Sequence, residues 1–172
     1  MSMSLNVDRP ELPEGYGVEE TGPYLSWAAV EERLTGAAEY WLASTRPDGR
    51  PHVVPRWGVW LDGRFWYDGS PHTRHALNLE YNPACALHLQ SGTVVTIVEG
   101  VSMRSDPIIG DLGQRLSAEY ARKYEKSGYA PSADAWSGED AGGMRVLTPE
   151  KAIAWSVFPT DMTRFSFPDV VS

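Results

Sequence analysis

Groups that could bind an anion are crowded into the stretch SPHTRH. Ser70 and Thr73 carry hydroxyl groups, and Arg74 and His75 follow directly. If a strand ends just before this stretch and a helix begins at Thr73, these side chains surround a helix N-terminus, where free N–H groups and the helix dipole favour negative charge. The guanidinium matches phosphate oxygens, and the imidazole is a donor that gains charge as a phosphate approaches. The pattern predicts a phosphate site; an ordinary helix cap with a solvated face is the alternative that the residues alone leave open.

The segment before this stretch is dense in strand signals. Aromatic and β-branched residues fill three runs, EYWLASTR, RPHVVPRWGVWL and RFWYDG, and Asp-Gly pairs lie between them. This pattern predicts three antiparallel strands joined by two tight turns. Pro51 and Pro55 each lack the N–H that a strand ladder needs, so we expect the middle strand to lie at an edge and to be irregular around Pro55. An opened ladder leaves backbone groups free to bind a ligand.

Helical spacing recurs in three segments. Ser26 is placed to cap a helix that carries Trp27, Val30 and Leu34 and stops near Gly36. A second helix is predicted over TRHALNLEY and a third over DPIIGDLGQRLSAEYARKYEK, with Pro107 near its start. On the third, the spacing predicts a packed face formed by Leu116, Tyr120 and Tyr124, and a solvated face formed by Glu119, Arg122, Lys123, Glu125 and Lys126.

The remaining segments predict strands and a loop. ACALHLQ and TVVTIVEGVSMRS form a hairpin around Ser-Gly, MRVLTPEKAIAWSV and MTRFSF are closing strands, and residues 127–143 are a loop rich in small residues. Six or seven strands with two or three short helices favour a small antiparallel barrel, because closure removes exposed edges. Residues 1–22 are interpreted as an N-terminal arm, and residues 23–172 as one domain.

Composition restricts the partners. The chain has 172 residues and a formal net charge of -8, so its field repels nucleic acid and anionic lipid. Its start has no apolar signal-peptide region and no run approaches the roughly 20 apolar residues of a membrane span, so we expect a cytoplasmic protein with no nucleic-acid or membrane partner. Cys85 is the single cysteine and cannot form an internal disulfide.

Other chemical motifs are weak or missing. The sequence has no CxxC pair, GxSxG elbow, HExxH helix, Walker loop or GxGxxG turn. His72 and His75 are three residues apart but have no third ligand at matching spacing, so no metal site is predicted. Cys85 lies between two alanines of a predicted buried strand and is interpreted as a small core residue. His88 alternates with Leu87 and Leu89, and a satisfied strand histidine is the favoured interpretation.

In their order and spacing, four stretches of the sequence resemble a known family. They are WLASTRPDGRPHVVPRWGVWLDGRFWY, SPHTRHALNLEYNP, VVTIVEG and AIAWSVFPTDMTRFSF. They are similar to the pyridoxamine 5′-phosphate oxidase-like flavoproteins, the FMN-binding split-barrel family, and above all to its actinobacterial branch of FMN and deazaflavin enzymes. The resemblance implies a mainly β fold, a six-stranded antiparallel split β-barrel with two to three helices. It also implies a homodimer with the cofactor in a cleft at the interface.

The resemblance also implies site residues. Thr73, Arg74 and His75 match the phosphate-binding motif, with His75 in place of the usual lysine, and Ser70 belongs to the same site. The isoalloxazine ring would lie along the strand that carries His52, Val53, Val54, Pro55, Arg56 and Trp57. Trp155 and Arg164 match positions that often face the cleft, and packing in the core is the alternative for Trp155. Glu99 and Gly100 match a strand-end signature, where a structural bend is the expected role.

Two functions from different classes follow from the resemblance. The first is a redox enzyme in which bound FMN or the deazaflavin coenzyme F420 exchanges hydride with a small-molecule substrate, without a catalytic side chain. The second is a flavin or haem/tetrapyrrole carrier or sensor without turnover, since a fold does not fix a function. The sequence supports FMN and the deazaflavin coenzyme almost equally as the cofactor, and it does not identify the substrate.

Overall fold

The computed structural model describes residues 5–17 and 21–168 and contains nine strands and three α-helices. The strands are β1 (Asn6–Asp8), β2 (Tyr40–Thr45), β3 (Pro51–Arg56), β4 (Val59–Leu61), β5 (Arg64–Tyr67), β6 (Ala84–Ser91), β7 (Val94–Arg104), β8 (Arg145–Trp155) and β9 (Thr163–Ser166). The helices are α1 (Trp27–Gly36), α2 (Arg74–Tyr81) and α3 (Gly110–Tyr124), with short 3-10 helices at Glu125–Ser127 and Ala141–Gly143.

All nine strands belong to one antiparallel sheet. Its hydrogen-bonded order is β1-β9-β8-β7-β6-β2-β3, and β5 pairs with the first part of β8 and with β4. The mainly β fold with three helices is therefore confirmed. The expected closure is not, because the pairing ends at β3 on one side and at β1 and β4 on the other. The count of six barrel strands is likewise not confirmed.

The predicted middle strand is broken into β3 and β4 at Trp57 and Gly58. Its position at an edge is confirmed, since only β2 pairs with β3. The irregularity lies after Arg56 and not at Pro55. At the break, the Gly58 N–H donates to the Tyr124 hydroxyl at 3.0 Å, and a Cβ at Gly58 would lie 2.5 Å from the Phe65 ring. The chain bends here because its backbone groups are satisfied by α3 instead of by a neighbouring strand.

Lys123 differs from the predicted solvated face of α3. Its Nζ donates to the Tyr40 hydroxyl at 2.6 Å and to the Gly58 carbonyl at 3.0 Å. Burial, followed by the positive charge of Arg122, lowers the pKa of this amine to about 7. The expectation that Lys123 faces solvent is wrong, because the broken ladder presents a carbonyl that a donor on α3 can reach.

Two hydrophobic clusters support the sheet. One includes Val30, Leu34, Tyr40, Leu42, Leu87 and Phe165, from α1 and the sheet. The other includes Val59, Leu116, Tyr120, Tyr124, Trp136 and Met144 and lies beneath α3. The predicted packed face of α3 is confirmed. These clusters hold the sheet and its helices in place around β3 and the start of α2.

Three local predictions concern element ends. The Ser26 hydroxyl accepts the Ala29 N–H at 3.2 Å, which confirms the cap of α1. Helix α3 begins at Gly110, three residues later than expected from Pro107. The register of β7 against β8 shifts between Glu99 and Gly100, which confirms the expected bend.

In the described part of the chain, no helix is long and apolar enough to cross a membrane.

Candidate functional site

The open edge of β3 presents a single backbone donor between two prolines. The Arg46 N–H donates to the Arg50 carbonyl at 2.9 Å, which fixes the alternation of the β2–β3 ladder. His52 and every second residue after it therefore bond to β2, and Pro51, Val53 and Pro55 face away. Because the prolines lack an N–H, this edge offers the Val53 N–H and the carbonyls of all three residues.

Cationic side chains gather on one face of β3. Burial lowers the pKa of His52, and the positive charges of Arg46 and Arg74 lower it further, so the three groups lie near one another. Within the described residues, no carboxylate lies at ion-pair distance from Arg46 or Arg74. The Arg46 Nε is buried and has no hydrogen-bond partner in the same part of the chain. The charge of Arg46 contributes to the lowered pKa of Asp48, but the Asp48 carboxylate is paired with Arg50. Arg46 and Arg74 are therefore available to an anion.

The start of α2 adds backbone donors to this cluster. The first helical hydrogen bond runs from the Leu77 N–H to the Thr73 carbonyl at 3.0 Å. The N–H groups of the first turn, before Leu77, therefore have no acceptor within the helix. The Thr73 hydroxyl donates to the Ser70 carbonyl at 3.0 Å and does not cap the helix. The Ser70 hydroxyl accepts the His72 N–H at 3.2 Å, which leaves its own proton available.

His75 lies beside the cluster but is uncharged near pH 7. It is only 4% exposed, and its Nε2 lies 3.3 Å from the Thr73 hydroxyl. Burial lowers the pKa of its imidazole to about 4, and the charges of Arg56, His52 and Arg145 contribute. The positive charge at this corner is therefore carried by Arg46 and Arg74, and the imidazole is a neutral neighbour.

A hollow adjoins the cluster at the end of β3. Its lining is formed by Glu39, Pro55, Arg56, Trp57, Asp68, Gly69, Tyr129 and Gly142. The Arg56 guanidinium donates to the Asp68 carbonyl and lies 5.7 Å from the centroid of the Tyr67 ring. Its Nε is buried without a partner in the described residues, so one donor remains. The Trp57 ring stacks on Tyr124 at 4.9 Å and stays 42% exposed.

The loop before β8 forms one wall of this hollow. The Tyr129 hydroxyl and the Trp136 Nε1 both donate to the Asp68 carboxylate, the latter at 2.9 Å. A Cβ at Gly143 would lie 2.0 Å from the Gly69 carbonyl oxygen, so backbone packs directly on backbone here. The loop is thereby fixed against the Asp68–Gly69 turn.

The structure brings most of the predicted site residues together. His52, Arg56, Arg74 and His75 influence one another electrostatically, Pro55 and Trp57 line the hollow, and Ser70 stands at the start of the α2 turn. Val53 is 49% exposed at the edge. Val54 instead packs against the hydrophobic core.

Trp155 lies away from this group within one chain. It ends β8, whereas Arg145, a neighbour of His75, begins it. The two residues are ten positions apart along β8, which corresponds to roughly 33 Å in a straight strand. Trp155 packs on Phe158 with 5.3 Å between ring centroids, and Arg164 pairs with Asp8 of β1 at 2.5 Å.

The other side chains considered have structural surroundings. Cys85 lies in β6, and burial raises the pKa of its thiol to about 12, which favours the unreactive protonated form. His88 stacks on Trp41 of the neighbouring strand at 6.3 Å between centroids. Neither side chain lines the hollow.

Several residues that line the hollow were not predicted: Glu39, Asp68, Gly69, Tyr129 and Gly142. Arg46 was expected only as one of the cations near the cleft, together with Arg50 and Arg56, and not as a phosphate ligand. Asp68 and Tyr129 are 61 positions apart in sequence, and no local pattern joins them. Only the fold reveals that contact.

The profile of the pyridoxamine 5′-phosphate oxidase family matches residues 26–141, more than half of the chain. The chain belongs to this family. One solved structure with the same fold is the conserved hypothetical protein Rv2991 from Mycobacterium tuberculosis. Its identity to this chain is 18%, the alignment covers 81% of this chain and 90% of that one, and the TM-score is 0.61. An F420 reductase has 20% identity, coverage of 82% and 98%, and a TM-score of 0.51.

A heme binding protein from Mycobacterium smegmatis also shares the fold. Its identity is 18%, with coverage of 84% of this chain and 60% of that one, and a TM-score of 0.60. Identities this low show a common fold alone. No curated protein sequence matches the chain significantly.

Proposed function

We propose that this member of the pyridoxamine 5′-phosphate oxidase family is a flavin- or deazaflavin-dependent oxidoreductase acting on a small molecule. The observation that carries the proposal is the pair of arginines Arg46 and Arg74, without a carboxylate at ion-pair distance in the described residues, beside His52 and the open edge of β3. A phosphorylated cofactor with a planar, hydrogen-bonding ring needs both features, an anion site and an edge with free backbone groups. The F420 reductase with the same fold supports this class of cofactor.

The phosphate fits the cluster at the start of α2. Arg74 and Arg46 supply charge, the Ser70 hydroxyl supplies a donor, and the N–H groups of the first helical turn complete the set. An anion there would also give the buried Arg46 Nε a partner. Both FMN and the deazaflavin coenzyme carry such a phosphate, so the cluster supports either one.

The ring fits the edge of β3. The Val53 N–H and the neighbouring carbonyls supply one donor flanked by acceptors, a pattern suited to the polar edge of a flavin-type ring. When bound, the cofactor supplies the capacity to exchange hydride with a substrate. The chain binds and orients it, and Arg56 places a positive charge next to the hollow, which favours an anionic reduced state.

Assembly into a homodimer is part of the proposal. Within one chain the hollow is open to solvent beside Trp57, whose ring stays half-exposed. A second copy covering this side would exclude water and bring further side chains to the ring. Trp155, which lies far from the cluster in its own chain, is the side chain that we expect a partner to contribute.

Titration of the purified apoprotein tests the proposal. FMN and the deazaflavin coenzyme are added separately and followed by fluorescence, with Arg74→Ala and the exposed control Arg64→Ala measured in parallel. We expect micromolar binding of one cofactor, a loss of about 10- to 100-fold in Arg74→Ala, and no change in the control. Binding of neither cofactor, or equal binding by Arg74→Ala, contradicts the proposal.

The same sample separates the enzyme from a carrier. A bound cofactor that bleaches with reductant and is reoxidised by candidate small molecules supports the oxidoreductase. A Soret band after addition of haem, with no binding of either flavin-type cofactor, would instead support a tetrapyrrole-binding protein like the neighbour from Mycobacterium smegmatis.

A further inference from the structure

Two aromatic side chains line the hollow at the end of β3, and both are attached to the last residue of α3. The ring centroids of Trp57 and Tyr129 lie 6.4 Å apart, with 44° between the ring planes. Tyr124, which ends α3, is 2% exposed and is not part of the lining. It contacts both aromatic residues, but in different ways.

Tyr124 holds Trp57 through its ring and through its hydroxyl group. The two rings stack with 4.9 Å between centroids and 11° between planes. The hydroxyl donates to the Gly58 carbonyl at 2.8 Å and accepts the Gly58 N–H at 3.0 Å. Burial raises the pKa of this hydroxyl, which therefore keeps its proton at neutral pH. One side chain thus fixes the Trp57 ring and satisfies both backbone groups of the next residue.

Lys123 and Tyr129 extend the same connection. The Lys123 Nζ also donates to the Gly58 carbonyl at 3.0 Å. The Tyr129 N–H donates to the Tyr124 carbonyl at 3.1 Å, and the Tyr129 hydroxyl donates to the Asp68 carboxylate. The last turn of α3 is therefore joined to both aromatic walls of the hollow.

Trp57 keeps a free surface although its ring is held. The residue is 42% exposed, and it directly follows β3, the strand along which we propose that the cofactor ring lies. Planar rings stack favourably on aromatic side chains. A ring that is already immobilised loses little further conformational freedom when a ligand binds to it. Trp57 is suited to bind a planar ligand, and its fixed position depends on α3.

We propose that Tyr124 is a positioning residue, which holds Trp57 as a stacking platform for a planar heteroaromatic ring in the hollow. Tyr124 acts through Trp57 and does not itself touch the ligand. Lys123 supports it through the Gly58 carbonyl. The class of ligand rests on the proposed function, whereas the role of Tyr124 in positioning Trp57 does not.

Fluorine NMR of the apoprotein tests the positioning. Tryptophan is replaced by 5-fluorotryptophan, and the Trp57 resonance is the one missing from Trp57→Phe. Tyr124→Phe keeps the ring and removes the hydroxyl, and we expect it to move or split the Trp57 resonance. Should this variant fail to fold, Lys123→Met takes its place, since it removes the other donor to the Gly58 carbonyl.

Tyr120→Phe is the matched control. Its hydroxyl lies on the same helix and donates to the Trp66 carbonyl at 3.3 Å, so its removal costs a comparable hydrogen bond without touching Gly58. This control should leave the Trp57 resonance in place. A Trp57 resonance that Tyr124→Phe leaves unmoved, or that Tyr120→Phe changes equally, overturns the positioning role.

Titration with three compounds tests the platform. FMN and the deazaflavin coenzyme are the proposed cofactors, and riboflavin carries the flavin ring without a phosphate. We expect at least one of them to shift the Trp57 resonance of the wild type. Tyr124→Phe should bind that compound about tenfold more weakly, and Tyr120→Phe should bind it like the wild type.

The outcomes separate this inference from the proposed function. Binding of FMN or the deazaflavin without a shift of the Trp57 resonance overturns the platform and leaves the cofactor proposal intact. A shift with riboflavin alone supports the platform and contradicts the proposed phosphate site. A resonance that none of the three compounds moves, or equal affinity of Tyr124→Phe and the wild type, overturns the inference.

Discussion

Arg74 and His75 are adjacent in the chain and differ completely in surroundings. Arg74 is exposed at the first position of α2, whereas His75 turns inward and is 4% exposed. The imidazole therefore contributes shape and a hydrogen bond but no charge near neutral pH. The positive charge beside His52 comes from Arg74 and Arg46.

The buried imidazole makes the protein sensitive to mild acid. The pKa of His75 is lowered to about 4 in the folded state from 6.5 in a flexible chain. The unfolded chain therefore takes up a proton as pH falls below about 6.5, while the folded state does not until about 4. Stability present above pH 6.5 is lost across this window, at a slope of up to ~1.4 kcal/mol per pH unit.

Urea denaturation at pH 7 and at pH 5 measures this effect. The wild type should lose more free energy of unfolding between the two values than His75→Gln does. The exposed His72→Gln serves as the matched control and should behave like the wild type. Equal losses in His75→Gln and the wild type would show that another group is responsible.

The single donor on the β3 edge gives a backbone prediction. Val53→Pro removes the free N–H of Val53. The residues two positions before and after it, whose backbone groups also face away from β2, are already prolines. We expect cofactor affinity to fall about fivefold to tenfold, the value of one hydrogen bond, with little loss of stability. Val53→Ala keeps the N–H and should bind like the wild type. If the two variants bind equally well, the ring does not use this edge.

Local sequence explains only part of the candidate site. Arg74 and His75 follow a strand and begin a helix, so spacing alone placed them at a helix N-terminus. Trp57 follows a segment whose two prolines, Pro51 and Pro55, indicated an edge strand. Asp68 and Tyr129 meet through a loop whose path depends on the packing of α3, and local patterns contain no information about that path.

At the scale of elements, β8 contains a bulge at its centre. The register of β7 against β8 shifts between Glu99 and Gly100, where Glu150 of β8 is the extra residue. A Cβ at Gly100 would lie 2.1 Å from the Thr148 carbonyl oxygen. The glycine is required here by close approach of two backbones. The bulge lies between the two halves of β8, of which one pairs with β5 and the other with β9.

Gly100→Ala should therefore be strongly destabilising. We expect a loss of about 2–3 kcal/mol in the free energy of unfolding, because the neighbouring strand must move. Gly36→Ala is the matched control, since a Cβ there has nothing within 4 Å. That change should leave stability equal or raise it by up to about 1 kcal/mol. Thermal or chemical unfolding of both variants provides the comparison.

Element prediction succeeded where side-chain alternation was regular and failed at the β3–β4 break. Strand-forming runs and Asp-Gly turns located β2 and β5, and Ser-Gly marked the turn of the β6–β7 hairpin. The break at Gly58 depends on Tyr124 and Lys123, which lie 66 and 65 residues further along the chain. Strand-forming residues stand on both sides of Gly58 in the stretch RWGVWL, without a two-residue turn signal, so the predicted strand was continuous.

At the scale of the whole molecule, the sheet leaves β3 and β4 as edges close to the candidate site. The mainly β class could be predicted because strand signals fill the chain. Whether the sheet closes into a barrel could not be predicted, because this depends on whether the backbone bends or continues at Gly58. The distance between Trp155 and the cluster is also a property of the whole fold, since it equals the length of β8.

The proposed homodimer can be tested directly. We expect light scattering after gel filtration to give a mass near twice the 19.1 kDa of the chain. In the proposed dimer, the partner's Trp155 side chain reaches the cofactor ring, so we expect Trp155→Ala to weaken cofactor binding. A monomer that binds cofactor with full affinity would remove both the dimer and Trp155 from the proposal. The oxidation state of the bound cofactor should be fixed during these measurements.

The prolines of β3 have a consequence for colloidal behaviour. An exposed strand edge is a template on which further chains can grow into fibres, and regular spacing of donors is what makes growth possible. Pro51 and Pro55 interrupt that spacing on both sides of Val53. A strand added by a growing fibre would need three backbone donors along this edge and would find only the Val53 N–H. The edge can therefore bind a ligand without promoting the addition of further chains.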